Sequence, residues 1–341
     1  MCVLCAYVGN QPAAPIMLDM LEHQEGFWGG YYTGLATIDG STLHHDKVVG
    51  DVAALRDQTK AAELPGTIGV AHSRTPSGGD REWGHPFIDC TGKIAYIAQG
   101  SNGAFKDTID RDAVLAQLVA DGHRIRSLCN EKVGSYPSLD DGRSAHASDM
   151  MCHAIEANLD ACGDPVEAMR LSFEQLKSEI VGLFISADFP DTIFAATFNQ
   201  SLWLGRDADG AYLSTAPSAM PPSAKWRSVV PANSVVAVSR DRMEVYNLFG
   251  LDETPADGIS RAAVERSVLE QLAEKPGKRP SELYGAMKEL CPPGPSLLPR
   301  TLYEVLGQLL AAGTIRFEVA RVPGMFGQGT APQAKFHLNE A

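Results

Sequence analysis

The sequence contains no apolar run approaching the roughly 18 residues of a membrane span. Met1 is not followed by the basic segment and apolar stretch of a secretion signal. Neither a membrane helix nor a leader is therefore expected, and the chain reads as cytoplasmic. Positive charge is also scarce: 29 Lys and Arg stand against 42 Asp and Glu, a formal net charge of -13. Coating of nucleic acid draws on clustered Lys and Arg, so this balance argues against it. The deficit is uneven, because residues 261–341 hold 10 Lys/Arg against 8 Asp/Glu, leaving -15 on residues 1–260. The sequence has no internal repeat, no low-complexity tract and no regular alternation of strand and helix patterns. The last absence excludes a doubly wound parallel sheet.

Cysteine is present as seven scattered residues, an odd number: Cys2, Cys5, Cys90, Cys129, Cys152, Cys162 and Cys291. In a reducing compartment these remain thiols, several of them buried as small apolar side chains. Cys2 and Cys5 form a C-x-x-C, but no second C-x-x-C or H-x-x-x-H follows at a familiar zinc spacing. No metal and no cofactor is expected. The opening "MCVLCAYVG" thus leaves three readings: a metal or redox pair, a buried strand that happens to carry two thiols, or a nucleophile at residue 2 exposed by removal of Met1.

The chain holds enough apolar residues, 44% of 341, for a full core and for two domains. "CVLCAYVG" predicts a buried strand and residues 14–24 a helix, while residues 26–39 read as a glycine-rich turn feeding a strand. "GTIGVAHSR" and "KIAYIAQG" are further strands ending in polar residues. Helices follow over 148–162, beginning at an N-cap-like Ser148, and over 165–180. Six more strands run from "GLFISAD" to "RMEVYNL", with "GRDADG" as a hairpin turn between two of them. The order predicts two stacked, largely antiparallel sheets with helices outside. Residues 126–147 lack periodicity and read as a long surface loop. A linker is placed at 251–260, after which three helical patterns and a hairpin with the tip "PGMFGQGT" describe a winged-helix-like domain over 261–341. Its third helix offers only Arg300 as a base, which favours packing or protein contact over DNA.

Removal of Met1 would make Cys2 the first residue, with a thiol and a free α-amine on one residue. Their reference pKa values, about 8.5 and about 7.7–8.0, let one residue supply both nucleophile and base. "MCVLCAYVG", "VAHSRTPSGG" followed by "GHPF", "QGSNG" and "ASDMM" occur in that order. Together they resemble class II glutamine amidotransferases over roughly residues 1–250. The resemblance implies an α+β, four-layer αββα N-terminal nucleophile hydrolase sandwich that releases ammonia from glutamine through a cysteine thioester. It implies Cys2 as nucleophile, and the Asn102 side chain with the Gly103 N–H as oxyanion donors. It further implies Arg74, Ser77 and the amide of Gly78 for the substrate carboxylate, and Asp149 for its ammonium. Asn102-Gly103 is also a common turn dipeptide, and Asp149 also suits the first turn of a helix. His72 and His85 are not needed by that mechanism and are expected to hydrogen-bond within their loop.

The sequence departs from the family pattern at Val3 and Ala6, where glycine is usual, at "QEGFWGG", where an arginine-glycine turn is usual, and at Thr75 to Gly79, where Trp-Ala-Thr-His-Gly is usual. The last change reshapes the loop that would read glutamine, so a related small amide stands beside glutamine as substrate. The roughly 80 residues after the linker are too few for a synthase. The expected partner is a separate ammonia-accepting synthase subunit, and a homo-oligomer is left open. The alternatives are a stand-alone hydrolase of another γ-glutamyl or small amide, and a non-enzymatic amino-acid-binding regulator with a DNA-binding tail.

Overall fold

Along the chain the elements run β1 (Val3–Gly9), α1 (Ala13–Gln24), β2 (Tyr32–Asp39), β3 (Thr42–Val49), α2 (Val52–Gln58), β4 (Ile68–Arg74), β5 (Phe87–Ile88) and β6 (Ile94–Ser101). Helices α3 (Arg111–Ala120), α4 (Ala147–Cys162) and α5 (Pro165–Gln175) follow. Next come β7 (Glu179–Ser186), β8 (Ile193–Thr197), β9 (Trp203–Arg206), β10 (Gly210–Ser214), β11 (Trp226–Val229), β12 (Ser234–Val238) and β13 (Met243–Asn247). The tail holds α6 (Arg261–Glu274), α7 (Pro280–Lys288), α8 (Leu298–Ala311), β14 (Ile315–Pro323) and β15 (Thr330–Leu338). The computed structural model describes residues 2–27, 29–255, 259–288, 291, 294–323 and 329–339.

β1 is apolar along its length because both faces are covered. Leu4, Ala6 and Val8 enter one core while Val3, Cys5 and Tyr7 enter another, the period-two split of a strand buried on both sides. It lies within an antiparallel seven-stranded sheet of order β11-β9-β10-β1-β4-β2-β3. A six-stranded antiparallel sheet, β13-β12-β8-β7-β6-β5, faces it. The core between the sheets is aliphatic, built from residues such as Val70, Ile97, Leu183 and Val236. Helices α1 and α2 cover the outer face of the first sheet and α3–α5 that of the second. The architecture is thus mixed α and β, with helices outside two stacked antiparallel sheets.

Three local expectations change. The cap of α4 is His146, whose Nδ1 accepts from the Ser148 N–H, so the helix starts one residue before Ser148. α5 stops at Gln175 rather than continuing to 180, because Glu179–Ser186 pairs with β6 as β7. Residues 126–147 are irregular as expected but not merely superficial: Ser127, Val133 and Ser144 are buried, and paired Cys129 and Ser144 staple the segment.

The tail has the three helices and the hairpin read from the sequence, β14 pairing with β15 from Ile315–Leu338 to Pro323–Thr330. The hairpin tip at 324–328, and 256–258 of the linker, lie outside the described residues. The apolar core under α1 continues into Val264, Leu283, Leu302 and Phe336 of the tail. Phe27 meets Phe317 and Phe336 edge-on at 5.2 and 5.4 Å. A Cβ added to Gly30, at φ +84°, would fall 2.3 Å from Pro332, and one added to Gly26 would fall 2.6 Å from Val319. The glycine-rich turn that departs from the family pattern is therefore where the hairpin lies against the body.

Candidate active site

Four segments meet at one edge of the sandwich. Cys2 precedes Val3, which pairs with Ser73, and Arg74 closes β4, so Cys2 and Arg74 occupy adjacent strand ends. β6 ends at Ser101 and delivers Asn102 and Gly103. The start of α4 and the 126–147 segment close the remaining side. They enclose a cavity of about 360 Å³ whose lining includes Cys2, Arg74, Ser77, Gln99, Asn102 and Tyr136. The structure thus brings together four of the predicted site residues: Cys2, Arg74, Ser77 and Asn102.

Gly103 lies on the outer side of the same turn, beside Asn102 in an adjoining depression. Its φ of +53° and the Glu179 carboxylate, 1.5 Å from where a Cβ would sit, favour glycine. Glu179 fixes the turn: its Oε2 accepts from Ala104 N–H at 2.7 Å and its Oε1 from Asn199 Nδ2 at 2.5 Å. Asn199 Nδ2 also donates to the Ser296 carbonyl at 3.0 Å, so a chain of hydrogen bonds joins this turn to the tail.

Arg74 is almost fully buried. Nη1 donates to the carbonyls of Gly78 (3.1 Å) and Trp83 (3.2 Å). Nη2 donates to the Ser77 carbonyl (3.3 Å) and the Tyr136 hydroxyl (2.9 Å). These four bonds engage the terminal nitrogens with the protein, so the guanidinium ties the 75–83 loop to the 126–147 segment. The cation itself faces the cavity, whereas the expected free fork for a carboxylate is occupied. Gly78 gives its carbonyl to Arg74 and does not line the cavity. Trp83 is fully buried, packs on Gly79 and lies 5.9 Å from the Arg74 guanidinium.

Asp149 is placed elsewhere. Ser148 and Met151 turn toward the cavity, but Asp149 is buried away from it, its Oδ2 accepting from Ser127 N–H at 2.7 Å and its Oδ1 lying 3.5 Å from His153 Nε2. The helical rotation between neighbouring residues, about 100°, separates the two faces. Among the described residues no acidic side chain lines the cavity.

Other lining groups were not singled out by the sequence. Gln99 is buried, and its Oε1 has no partner among the described residues. It hydrogen-bonds Tyr303 of α8, a tyrosine close enough to Cys2 for their charges to interact, and burial pushes this phenol well above its usual pKa. α8 therefore reaches the Cys2 side of the cavity. His72, His85 and His146 lie in a buried row, the first pair tilted and the second edge-on, ring centroids 3.9 and 5.3 Å apart. His72 belongs to β4 and bonds the Ala98 carbonyl at 2.9 Å, while neither ring nitrogen of His85 has a partner among the described residues. The expected bonds of these two histidines within their loop are thus not formed. Burial beside Arg74 holds all three neutral, with His72 lowered to about 3. The signal for Gln99 and His85 was present in "AQGSNG" and "GHPF", but nothing in sequence distinguishes a cavity-facing side chain there from a loop one.

No protein-family model matches the chain. Over 301 residues it is 23% identical to the glutamine–fructose-6-phosphate aminotransferase (isomerizing) of Pyrococcus horikoshii, covering 85% of this chain and 46% of that protein. It is 26% identical over 301 residues to the enzyme of the same name from Streptomyces coelicolor, covering 84% and 44%. The chain spans about half the length of these curated relatives. Among solved structures it is similar to the glutamine phosphoribosylpyrophosphate amidotransferase of B. subtilis, with a TM-score of 0.58 and 14% identity over 93% of this chain and 66% of that one. A structure described as the allosteric regulatory enzyme of purine biosynthesis matches with the same TM-score, covering 90% and 63%. In sequence and in fold, this chain is similar to the class II glutamine amidotransferases.

Proposed function

We propose that this chain hydrolyses a carboxamide, glutamine first among the substrates, through Cys2 as an N-terminal nucleophile, and passes the ammonia to an acceptor on a separate partner. The observation that carries this reading is the shared cavity, in which the residue 2 thiol, the Asn102 amide, the Ser77 hydroxyl and the Arg74 cation converge. With Met1 removed, the α-amine of Cys2 takes the thiol proton and the thiolate adds to the amide carbon. The Asn102 side chain and the Gly103 N–H hold the resulting oxyanion, donors worth about 2.7–4 kcal/mol apiece in comparable sites. The protonated amine returns that proton to the departing amide nitrogen, which leaves as ammonia as the intermediate collapses to the thioester. Water then releases the acid. Arg74 acts on a substrate carboxylate through its charge, with Ser77 supplying the hydrogen bond.

A second reading, hydrolysis of a small amide without an α-ammonium group, is favoured by the lack of a carboxylate in the described lining. The third, a regulator with a DNA-binding tail, gains little, because Arg300 is bound to Glu304 and to the Val230 carbonyl. Intact-mass measurement before and after incubation with 6-diazo-5-oxo-norleucine tests the proposal. Loss of Met1 and one adduct, absent in Cys2→Ala, is expected. A retained methionine with no adduct overturns it. Loss of Met1 without an adduct, together with turnover of a simple carboxamide that has no amine, moves the second reading ahead.

A further inference from the structure

On the face of α4 turned away from the cavity, four donor atoms of mixed chemistry converge: Cys90 Sγ, His123 Nδ1, His153 Nδ1 and Glu156 Oε2, all within 4.8 Å of one another. They come from three places. Cys90 lies in the β5–β6 turn, which Asp89 holds by accepting from the backbone N–H groups of Lys93 and Ile94 at 2.8 Å. His123 follows α3, its N–H bonded to the Leu118 carbonyl. His153 and Glu156 sit three residues apart on α4, on one helix face. Sγ lies 3.6 Å from His153 Nδ1 and 3.9 Å from His123 Nδ1. Zinc bonds of about 2.3 Å to sulfur and 2.0–2.1 Å to nitrogen, at a tetrahedral angle, require about 3.6 Å between these atoms. Glu156 Oε2 lies 2.9 and 2.8 Å from the two imidazole nitrogens. It would need to withdraw by about half an ångström to reach the same geometry.

The surroundings fit ligands. The Arg124 N–H points at Sγ from 3.2 Å and the Cys90 N–H holds Glu156 Oε1 at 3.0 Å. His153 Nε2 lies 3.5 Å from Asp149 Oδ1, and both atoms are buried with no other partner among the described residues. A proton on Nε2, shared with Asp149, leaves the Nδ1 lone pair for a cation, which is the carboxylate–histidine–metal arrangement. Thiolate and imidazole donors select a borderline-soft ion over calcium or magnesium, which take oxygen. Cys90 is exposed, so an ion has a path in.

We propose that Cys90, His123, His153 and Glu156 form a zinc site, with Asp149 as the positioning residue of His153. The expectation of no metal rests on the sequence alone. Binding releases the thiol proton and any imidazole Nδ1 proton to solvent, and the ion would fasten the cavity-bearing helix to the β5–β6 turn and the end of α3. The inference does not depend on the proposed activity. Its test uses the full chain, without an affinity tag, stripped of metal and titrated with Co²⁺ and then Zn²⁺. Expected are one Co²⁺ per chain, tetrahedral visible bands, and a near-ultraviolet thiolate charge-transfer band that is lost in Cys90→Ser and retained in a Cys162→Ser control. Asp149→Asn should weaken the affinity by about 10–100-fold. Absence of saturable Co²⁺ binding to the folded protein, or a charge-transfer band that survives Cys90→Ser, overturns the proposal. Circular dichroism of each variant separates a lost site from a lost fold.

Discussion

At the residue scale, Arg74 shows how one side chain holds a cavity open. Its charge is buried with four bonds, so Arg74→Lys, which cannot reproduce the fork, leaves loop carbonyls and the Tyr136 hydroxyl without partners. A loss of about 2–4 kcal/mol is expected in urea unfolding, together with a raised KM for any carboxylate-bearing substrate. The row of buried histidines sets a pH dependence. The folded His72 takes a proton only near pH 3, whereas the unfolded chain takes one near 6.5. Between those values the unfolded state binds more protons, so this stability is complete above about 6.5 and is lost as the pH falls toward 3. Each such histidine contributes a slope of up to about 1.4 kcal/mol per pH unit, and His72→Gln should make the fall between pH 7 and 5 shallower in equilibrium unfolding. The Cys2, Ser77 and Asn102 positions were legible in sequence because short motifs carry them. The metal-type cluster was not, because two of its three intervals, 90 to 123 and 123 to 153, depend on the turns of the fold, and only 153 to 156 is a local spacing.

At the element scale, strands were the most legible parts, since the two-sided burial of β1, β4 and β7 leaves continuous apolar runs. The end of α5 was not, because its helical pattern runs without a break into the first residues of β7. Nor was the role of residues 126–147: an aperiodic segment gives no sign that Tyr136 will meet Arg74. The contact between the glycine-rich turn and the tail hairpin makes its own prediction. Gly30→Ala combines a left-handed backbone with a clash against Pro332, while Gly40→Ala has φ +58° and no neighbour within 4 Å. The first should cost about 1–3 kcal/mol and speed proteolysis near residues 251–260, and the second about 1 kcal/mol or less with no change in cleavage. Equal effects of the two would mean that the hairpin does not press on the turn.

At the scale of the whole molecule, the order of strands, helices and strands made the stacked sheets readable, but the placement of the tail was hidden. Phe317 and Val319 read as ordinary hairpin residues, and only the fold shows Phe27 and Gly26 beneath them. The tail also brings Tyr303 to the Cys2 side of the cavity, so a chain ending at residue 255 should bare an apolar face, bind a hydrophobic dye and run as an oligomer in gel filtration. A monodisperse short chain would instead mark the tail as a separable module. The position of β1 has a further consequence. Its amides are bonded to β4 and β10 on either side and covered above and below, whereas residues 126–147 are stapled by isolated bridges. Hydrogen exchange should therefore keep two clocks around one cavity, slow at the wall that carries the thiol and fast at the wall opposite. Molecules would come and go past the fast wall while the thiol stays fixed.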